Sequence, residues 1–368
     1  MKILIVTMGF FPGEKYGGPP VSVDNFCSLM DGWDHYVVTK DHDLGDDVPY
    51  ADIHEGWNDR GNCKVLYLPD RAFRKDSFEE AICQIRPDWI YLQSLFQSCV
   101  PACLSLAKKH GIRVMLAPRG ELCKGAFRKK YKKLPYIAAL RCLGLLEGAS
   151  FQSTSQEESE AIGKYLGAAE ADIHPLTNIP SVPAEGYGAP EKRPGSARLV
   201  FLSRIHPKKN LLGAIRYLKG VTGDVTLDVY GPIEDEAYWA ECQGAIRELP
   251  GNVRVCYRGL VSHGQVHRVF SGYDAFLFPT FSENYGHVIV EAMSVGCPVI
   301  LSDQTPWNDV HEHGAGWAIP LDRSDAFLEA IGQVVGWEQR PDAQVRAYMA
   351  MKLDLPALRE AYRAVFEA

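Results

Sequence analysis

No Cys-x-x-Cys pair occurs among the ten cysteines of this 368-residue chain, at positions 27, 63, 83, 99, 103, 123, 142, 242, 256 and 297. Several lie inside apolar runs, as Cys256 does between Val255 and Tyr257, so they read as reduced core thiols of a cytosolic protein. Clustered metal ligands are equally scarce. The nearest candidates, His263 with His267 and the tripeptide His311, Glu312, His313, lack a third ligand at a recognisable spacing. No apolar run reaches the roughly 18 residues that span a bilayer, and the run at residues 3–8 is too short for a signal-peptide core. Positive charge is short too: 39 Lys and Arg against 46 Asp and Glu leave a formal net charge of -7, without the basic field that binds duplex nucleic acid. The loop after the first apolar run fits neither Gly-x-Gly-x-x-Gly nor the phosphate-loop pattern ending in Lys-Ser/Thr. That sets aside dinucleotide oxidoreductases and P-loop nucleotidases.

Hydrophobic residues make up 46% of the chain, enough for a large core, and the length favours two domains. Short apolar runs alternate with helical patterns at residues 3–8, 36–39, 65–68, 89–92 and 114–117, then at 199–202, 225–230, 253–257, 275–278 and 299–301. Strands apolar on both faces predict two parallel sheets, each covered by helices. The expected fold class is therefore α/β, with two Rossmann-like doubly wound domains facing across a cleft that holds the ligand. Residues 1–180 make the first domain. Residues 181–197, rich in Pro and Gly, read as a linker, and residues 198–350 make the second domain. Within residues 351–368, Leu358, Ala361, Tyr362 and Val365 keep a helical spacing; docking on either domain, including a return to the first, is open.

Residues 276–303 read FLFPTFSENYGHVIVEAMSVGCPVILSD. A strand ending at Pro279, a polar turn and a helix from about Tyr285 to Val295, stopped by Gly296, place the amides of Asn284, Tyr285 and Gly286 where a phosphate can sit. Gly286 permits close approach of a ligand to the backbone. Glu283 and Glu291 stand eight residues apart with no Lys or Arg beside them, which suits hydroxyl groups of a sugar and a ribose. On these residues alone a capping Glu283 and a solvated Glu291 remain open. A second segment, FLSRIHPKKN at residues 201–210, puts Arg204 and Lys209 in a strand-to-helix loop, a cationic pair suited to a diphosphate.

Glu-x7-Glu within SENYGHVIVEAMSVGCPVI, together with Arg204 and Lys209, resembles the signature of retaining glycosyltransferases of family 4, in particular of bacterial polysaccharide biosynthesis, which have the GT-B fold. The resemblance implies Arg204, Lys209 and Glu283 as the catalytic set and Glu291 as the ribose ligand. Gly17 and Gly18, in ILIVTMGFFPGEKYGGPP, are similar to the family's glycine-rich loop, which is followed here by a helix from about Pro20. The fold implied also sets base contacts on loop backbone near Tyr257, Arg258 and Gly259. A departure lies at LAPRGEL, residues 116–122, where many members carry His or Asp; Arg119 and Glu121 are assigned to the acceptor side.

The reaction implied moves a sugar from a UDP- or GDP-sugar to a glycan or polyprenyl-diphosphate-linked sugar, with no metal and no further cofactor. Residues 108–133 hold ten Lys and Arg and one acid, Glu121, and the run Arg128, Lys129, Lys130, Tyr131, Lys132, Lys133 adjoins apolar Leu134, Tyr136, Ile137 and Leu140. A basic amphipathic helix of this kind predicts contact with anionic lipid at the inner face of the cell membrane. Two other readings stay open: a nucleotide-sugar epimerase or phosphorylase of the same fold, and a non-catalytic scaffold of a polysaccharide assembly.

Overall fold

The computed structural model describes residues 1–123, 130–183 and 186–368, with Lys130 and Lys132 described by their backbone alone. The chain divides into two compact units, residues 1–179 with 355–368, and residues 180–354.

The first unit runs β1 (Lys2–Val6), α1 (Gly18–Leu29), β2 (Asp34–Lys40), β3 (Trp57–Asp59), β4 (Lys64–Leu68), α2 (Lys75–Ile85) and β5 (Trp89–Gln93). It continues with α3 (Val100–His110), β6 (Arg113–Ala117), α4 (Lys130–Cys142), β7 (Ala149–Ser153), α5 (Gln156–Ala161) and β8 (Ile173–Pro175). Among the described residues these strands form one sheet in the order β3-β4-β2-β1-β5-β6-β7-β8, parallel except at the edge pair of β3 with β4. Central β1 lies between β2 and β5, so Ile3, Leu4, Ile5 and Val6 are buried on both faces, the reason for its unbroken apolar run. Helix α1 starts at Gly18, earlier than the expected Pro20, because Gly17 turns the chain at a φ of 71°.

The second unit runs β9 (Ser196–Leu202), α6 (Leu211–Tyr217), β10 (Asp224–Tyr230), α7 (Glu236–Arg247), β11 (Val253–Gly259), α8 (Val266–Ser271) and β12 (Ala275–Phe278). Then follow α9 (His287–Ser294), β13 (Val299–Ser302), β14 (Gly316–Ile319), α10 (Ser324–Gly336) and α11 (Asp342–Lys352). Its described strands are all parallel, in the order β11-β10-β9-β12-β13-β14. The reversal of winding at β9 and β12 sets their carboxyl ends side by side, the usual place for a ligand in such a sheet.

The last helix, α12 (Leu355–Phe366), packs in the first unit. Tyr362 and Phe366 are fully buried there, the Trp89 indole donates to the Phe366 carbonyl at 2.9 Å, and Gln152 donates to the Tyr362 hydroxyl at 2.8 Å.

Two expectations need correction. In α4, Ile137 and Leu140 are buried in the domain core and the Tyr136 hydroxyl donates to the Leu95 carbonyl at 3.0 Å, so the apolar side of this helix faces inward. Lys133 is half-buried over the Phe96 ring and donates to the Glu121 carbonyl at 3.0 Å, leaving Tyr131 and Leu134 as exposed apolar groups; Arg128 and Lys129 lie outside the described residues. The cysteines are all free, but Cys83 and Cys142 are exposed rather than in the core. No helix among the described residues is long and apolar enough to cross a membrane.

Candidate functional site

In the second unit, the loops that follow β9 and β12 are laced together. The Phe281 amide donates to the Lys208 carbonyl at 2.9 Å, and the Asn210 side chain donates to the Pro279 carbonyl at 2.8 Å while accepting from the Gly213 amide to cap α6. Asn210 sits at a φ of 59°, which an Asn tolerates better than most residues. This lacing delivers the Lys209 ammonium to the Glu283 carboxylate, joining residues far apart in sequence. Both side chains are largely buried, and the ammonium also lies 5.5 Å from the centre of the Phe278 ring. Glu283 therefore pairs with a cation and does not cap the helix. Beside them Lys208 loses affinity for its proton through burial first and through Lys209 second.

Arg204 takes a separate partner. Its Nη1 donates to Glu234 Oε1 at 2.7 Å in a partly exposed pair, and the Glu234 amide returns to the Ile205 carbonyl at 3.2 Å. Glu234 was not singled out by sequence, since it lies on the loop after β10 with no motif around it.

Helix α9 begins at His287 rather than near Tyr285, and Gly286 is its N-cap at a φ of 77°. A Cβ there would stand 2.7 Å from the Ile289 side chain, so the turn itself requires glycine. Ser282, Glu283, Asn284 and Tyr285 form the turn ahead of the helix. The Trp307 indole braces this turn by donating to the Tyr285 carbonyl at 2.7 Å, with the two rings 5.8 Å apart. Trp307 too was invisible to sequence reasoning.

Glu291 is 5% exposed, which rules out the solvated position. Burial pushes its carboxyl up to about 7. The His263 ring faces it, Nδ1 to Oε1 at 3.7 Å. Arg258 lies apart, half-exposed, with Nε 3.0 Å from Asp228. A pocket of about 280 Å³ opens beside His263 and His267, walled by Ser181, Val182, Pro183 and Tyr187. Among the described residues no three His, Cys, Asp or Glu side chains gather as a metal site.

Arg119 and Glu121 belong to the first unit, where both are occupied. Arg119 takes a φ of 56° and donates from Nε to Gln93 at 2.7 Å, from Nη2 to the Tyr91 hydroxyl at 3.1 Å and from Nη1 to Asn178. The Glu121 carboxylate accepts from the Ser94 hydroxyl at 2.6 Å and the Leu95 amide at 2.7 Å, yet burial outweighs these bonds and raises its affinity for a proton. Fully buried Glu158 fixes the same loop by accepting from the Gly120 amide at 2.6 Å and from Thr154. In this structure Arg119 and Glu121 are each held by groups of their own unit. The sequence carried no sign of this, because the partners of Arg119 stand on other elements.

Residues 188–347 match the family model of glycosyl transferases group 1. Over 152 residues the chain is 27% identical to the O-antigen chain mannosyltransferase B of Escherichia coli, covering 40% of this chain and 36% of that protein. It is 26% identical over 180 residues to the 2-deoxystreptamine glucosyltransferase of Streptomyces kanamyceticus, covering 45% of each. The matched stretches thus span less than half the length of these two relatives. The structure of Anabaena Alr3699/HepE with UDP and glucose is similar over 100% of this chain and 99% of that one, at 16% identity and a TM-score of 0.71. The chain therefore has the GT-B fold, and its residues 188–347 are similar in sequence to the glycosyl transferases of group 1.

Proposed function

We propose that this protein is a retaining glycosyltransferase of family 4 type, which moves a sugar from a UDP- or GDP-sugar to a glycan or lipid-linked acceptor in cell-surface polysaccharide biosynthesis. The observation that carries the reading is the buried contact of Lys209 with Glu283 at the carboxyl ends of β9 and β12. A cation and a carboxylate held at this place match the two needs of the reaction, charge on a departing diphosphate and hydroxyls on a sugar. That the Escherichia coli relative is a mannosyltransferase of O-antigen chains, and that HepE is seen with UDP and glucose, supports it.

When donor enters, Lys209 exchanges its carboxylate partner for diphosphate oxygens, and Glu283 turns to the sugar hydroxyls. Arg204, on the accessible side, adds a second positive charge, and Glu291 accepts from the ribose. The bond from the anomeric carbon to the diphosphate breaks while the acceptor hydroxyl attacks the same face, and the leaving phosphate oxygen takes the acceptor proton. No protein nucleophile is needed, and the two cations supply the charge a metal would otherwise bring. Membrane contact is part of the same reading only through the basic run at residues 128–133 with exposed Tyr131 and Leu134, since Ile137 and Leu140 face the core, and co-sedimentation with anionic vesicles at low salt checks it.

The test is binding of UDP, GDP and their sugars by thermal shift, with magnesium and with chelator, followed by transfer from the stabilising donor. Magnesium-independent binding and an α-linked product from an α-linked donor are expected. An inverted product removes the mechanism, and a requirement for free phosphate in place of an acceptor assigns the chain to the phosphorylases.

A further inference from the structure

The winding of the first unit's sheet reverses between β1 and β5, so the loop of residues 7–17, which leaves the carboxyl end of β1, stands where such a sheet takes its ligand. Asp43, on the loop after β2, grips this loop by its backbone. Its carboxylate accepts from the Glu14 amide at 2.8 Å and from the Lys15 amide at 3.2 Å. We infer that Asp43 is a positioning residue for sugar transfer: it fixes the course of residues 9–17 from outside and so sets where Gly17 and Gly18 meet a substrate that it does not itself touch. The inference rests on the glycosyltransferase reading above, with Gly17 and Gly18 as its glycine-rich loop, and adds the group that keeps that loop in shape.

A loop with glycines at 9, 13 and 17 has a wide choice of backbone conformations, and contacts along it select one. The Met8 amide donates to Gln97 Oε1 at 2.9 Å, on the loop after β5, which fixes the stem. The Tyr16 ring lies too close to Gly9 to admit a Cβ there, and the Tyr50 hydroxyl takes the place of a Cβ at Gly13. The Tyr67 hydroxyl donates to the Phe11 carbonyl at 2.5 Å. Residues 14 and 15 come next, and the loop after β2 holds them: Asp43 takes both amides, and Lys15 Nζ reaches Asp46 Oδ1 at 2.5 Å. The Asp43 carboxylate is itself aimed by the Leu44 amide at 2.8 Å, and its carbonyl accepts from the Asp46 amide at 3.1 Å. The bonds to residues 14 and 15 lie near the surface, where water replaces a lost partner, so they add little to the stability of the unit. What they restrict is the path of the chain just ahead of Gly17, the exposed N-cap of α1.

The measurement is transfer from the donor that stabilises the protein, together with UDP and GDP affinity by calorimetry, on the full chain of the wild type, Asp43→Ala, Asp43→Asn and Asp46→Ala. Asp43→Ala should lower kcat by roughly ten- to a hundredfold, the cost of a misplaced contact to the reacting groups. Nucleotide affinity should stay at the wild-type value, because Arg204, Lys209 and Glu291, the side chains assigned to the nucleotide, all belong to the second unit. Asp43→Asn, whose amide oxygen still accepts from the loop, should recover most of the turnover. Asp46→Ala, which removes the partly exposed pair with Lys15 and leaves both amides on Asp43, should keep it. Wild-type turnover in Asp43→Ala, a parallel loss of nucleotide affinity and thermal stability in it, or an Asp43→Asn no better than Asp43→Ala overturns the inference and leaves the glycosyltransferase reading standing. A wild type that binds neither nucleotide and transfers no sugar overturns that reading, and the inference with it.

Discussion

Lys209 and Glu283, on the loops after β9 and β12, meet as a largely buried ion pair. A charged pair held in place by the fold lowers the reorganisation that catalysis must supply. Lys209→Ala should reduce turnover by about two orders of magnitude. It should also lower stability, because Glu283 is left without its cation, and Lys209→Met should behave alike in steady-state kinetics and urea unfolding. Turnover near the wild-type value in both variants would discard the diphosphate role.

Arg204 separates function from stability. Its pair with Glu234 is partly exposed, so Arg204→Ala should change stability by no more than about 0.5 kcal/mol while turnover again falls by around two orders of magnitude. Equal loss of both in parallel assays would make it a structural residue.

Arg119 should show the opposite pattern. Removing its bonds to Gln93, Tyr91 and Asn178 leaves buried polar groups unpaired, at a cost of about 2–4 kcal/mol. Arg119→Lys should not restore the loss, since one ammonium cannot reach three partners in the plane that the guanidinium spans. Denaturant unfolding measures it, and nucleotide affinity should stay unchanged.

Glu291 gives a stability prediction with a definite sign. Burial raises its folded-state pKa from 4.5 to about 7, so the folded form binds more protons than the unfolded chain between these values. The stability associated with the protonated group is fully present below about pH 4.5 and lost as pH rises through about 7. Glu291→Gln should therefore match the wild type near pH 4.5 and exceed it by roughly 3 kcal/mol at pH 8.5, as read by chemical unfolding at both pH values. A variant less stable than the wild type at pH 8.5 would contradict the buried carboxylate.

The strands were legible because parallel strands between helices must be apolar on both faces, a local property of runs such as Leu227 to Val229 or Phe276 to Phe278. Strands β3, β7, β8 and β14 escaped, being three to five residues long; the first three are also mixed in polarity, like Ser150 to Ser153. The start of α9 was misplaced because Gly286, at a φ of 77°, is the N-cap and the helix begins only after it. Lys209 and Glu283 were each visible as charged residues in turns, but their contact depends on loops laced through Asn210 and Phe281. Glu291 did leave a signal, an acid inside Ile289 to Met293. The inward turn of α4 and the three anchors of Arg119 left none, because both are set by elements distant in the chain.

Because α12 belongs to the first unit, residues 180–354 are an insertion within it. During synthesis the second unit is complete before the ribosome has made Tyr362 and Phe366, the side chains that fill the floor beneath Trp89 and Tyr91. The two aromatic side chains that complete the first unit's core therefore follow the whole of the second unit in chain order.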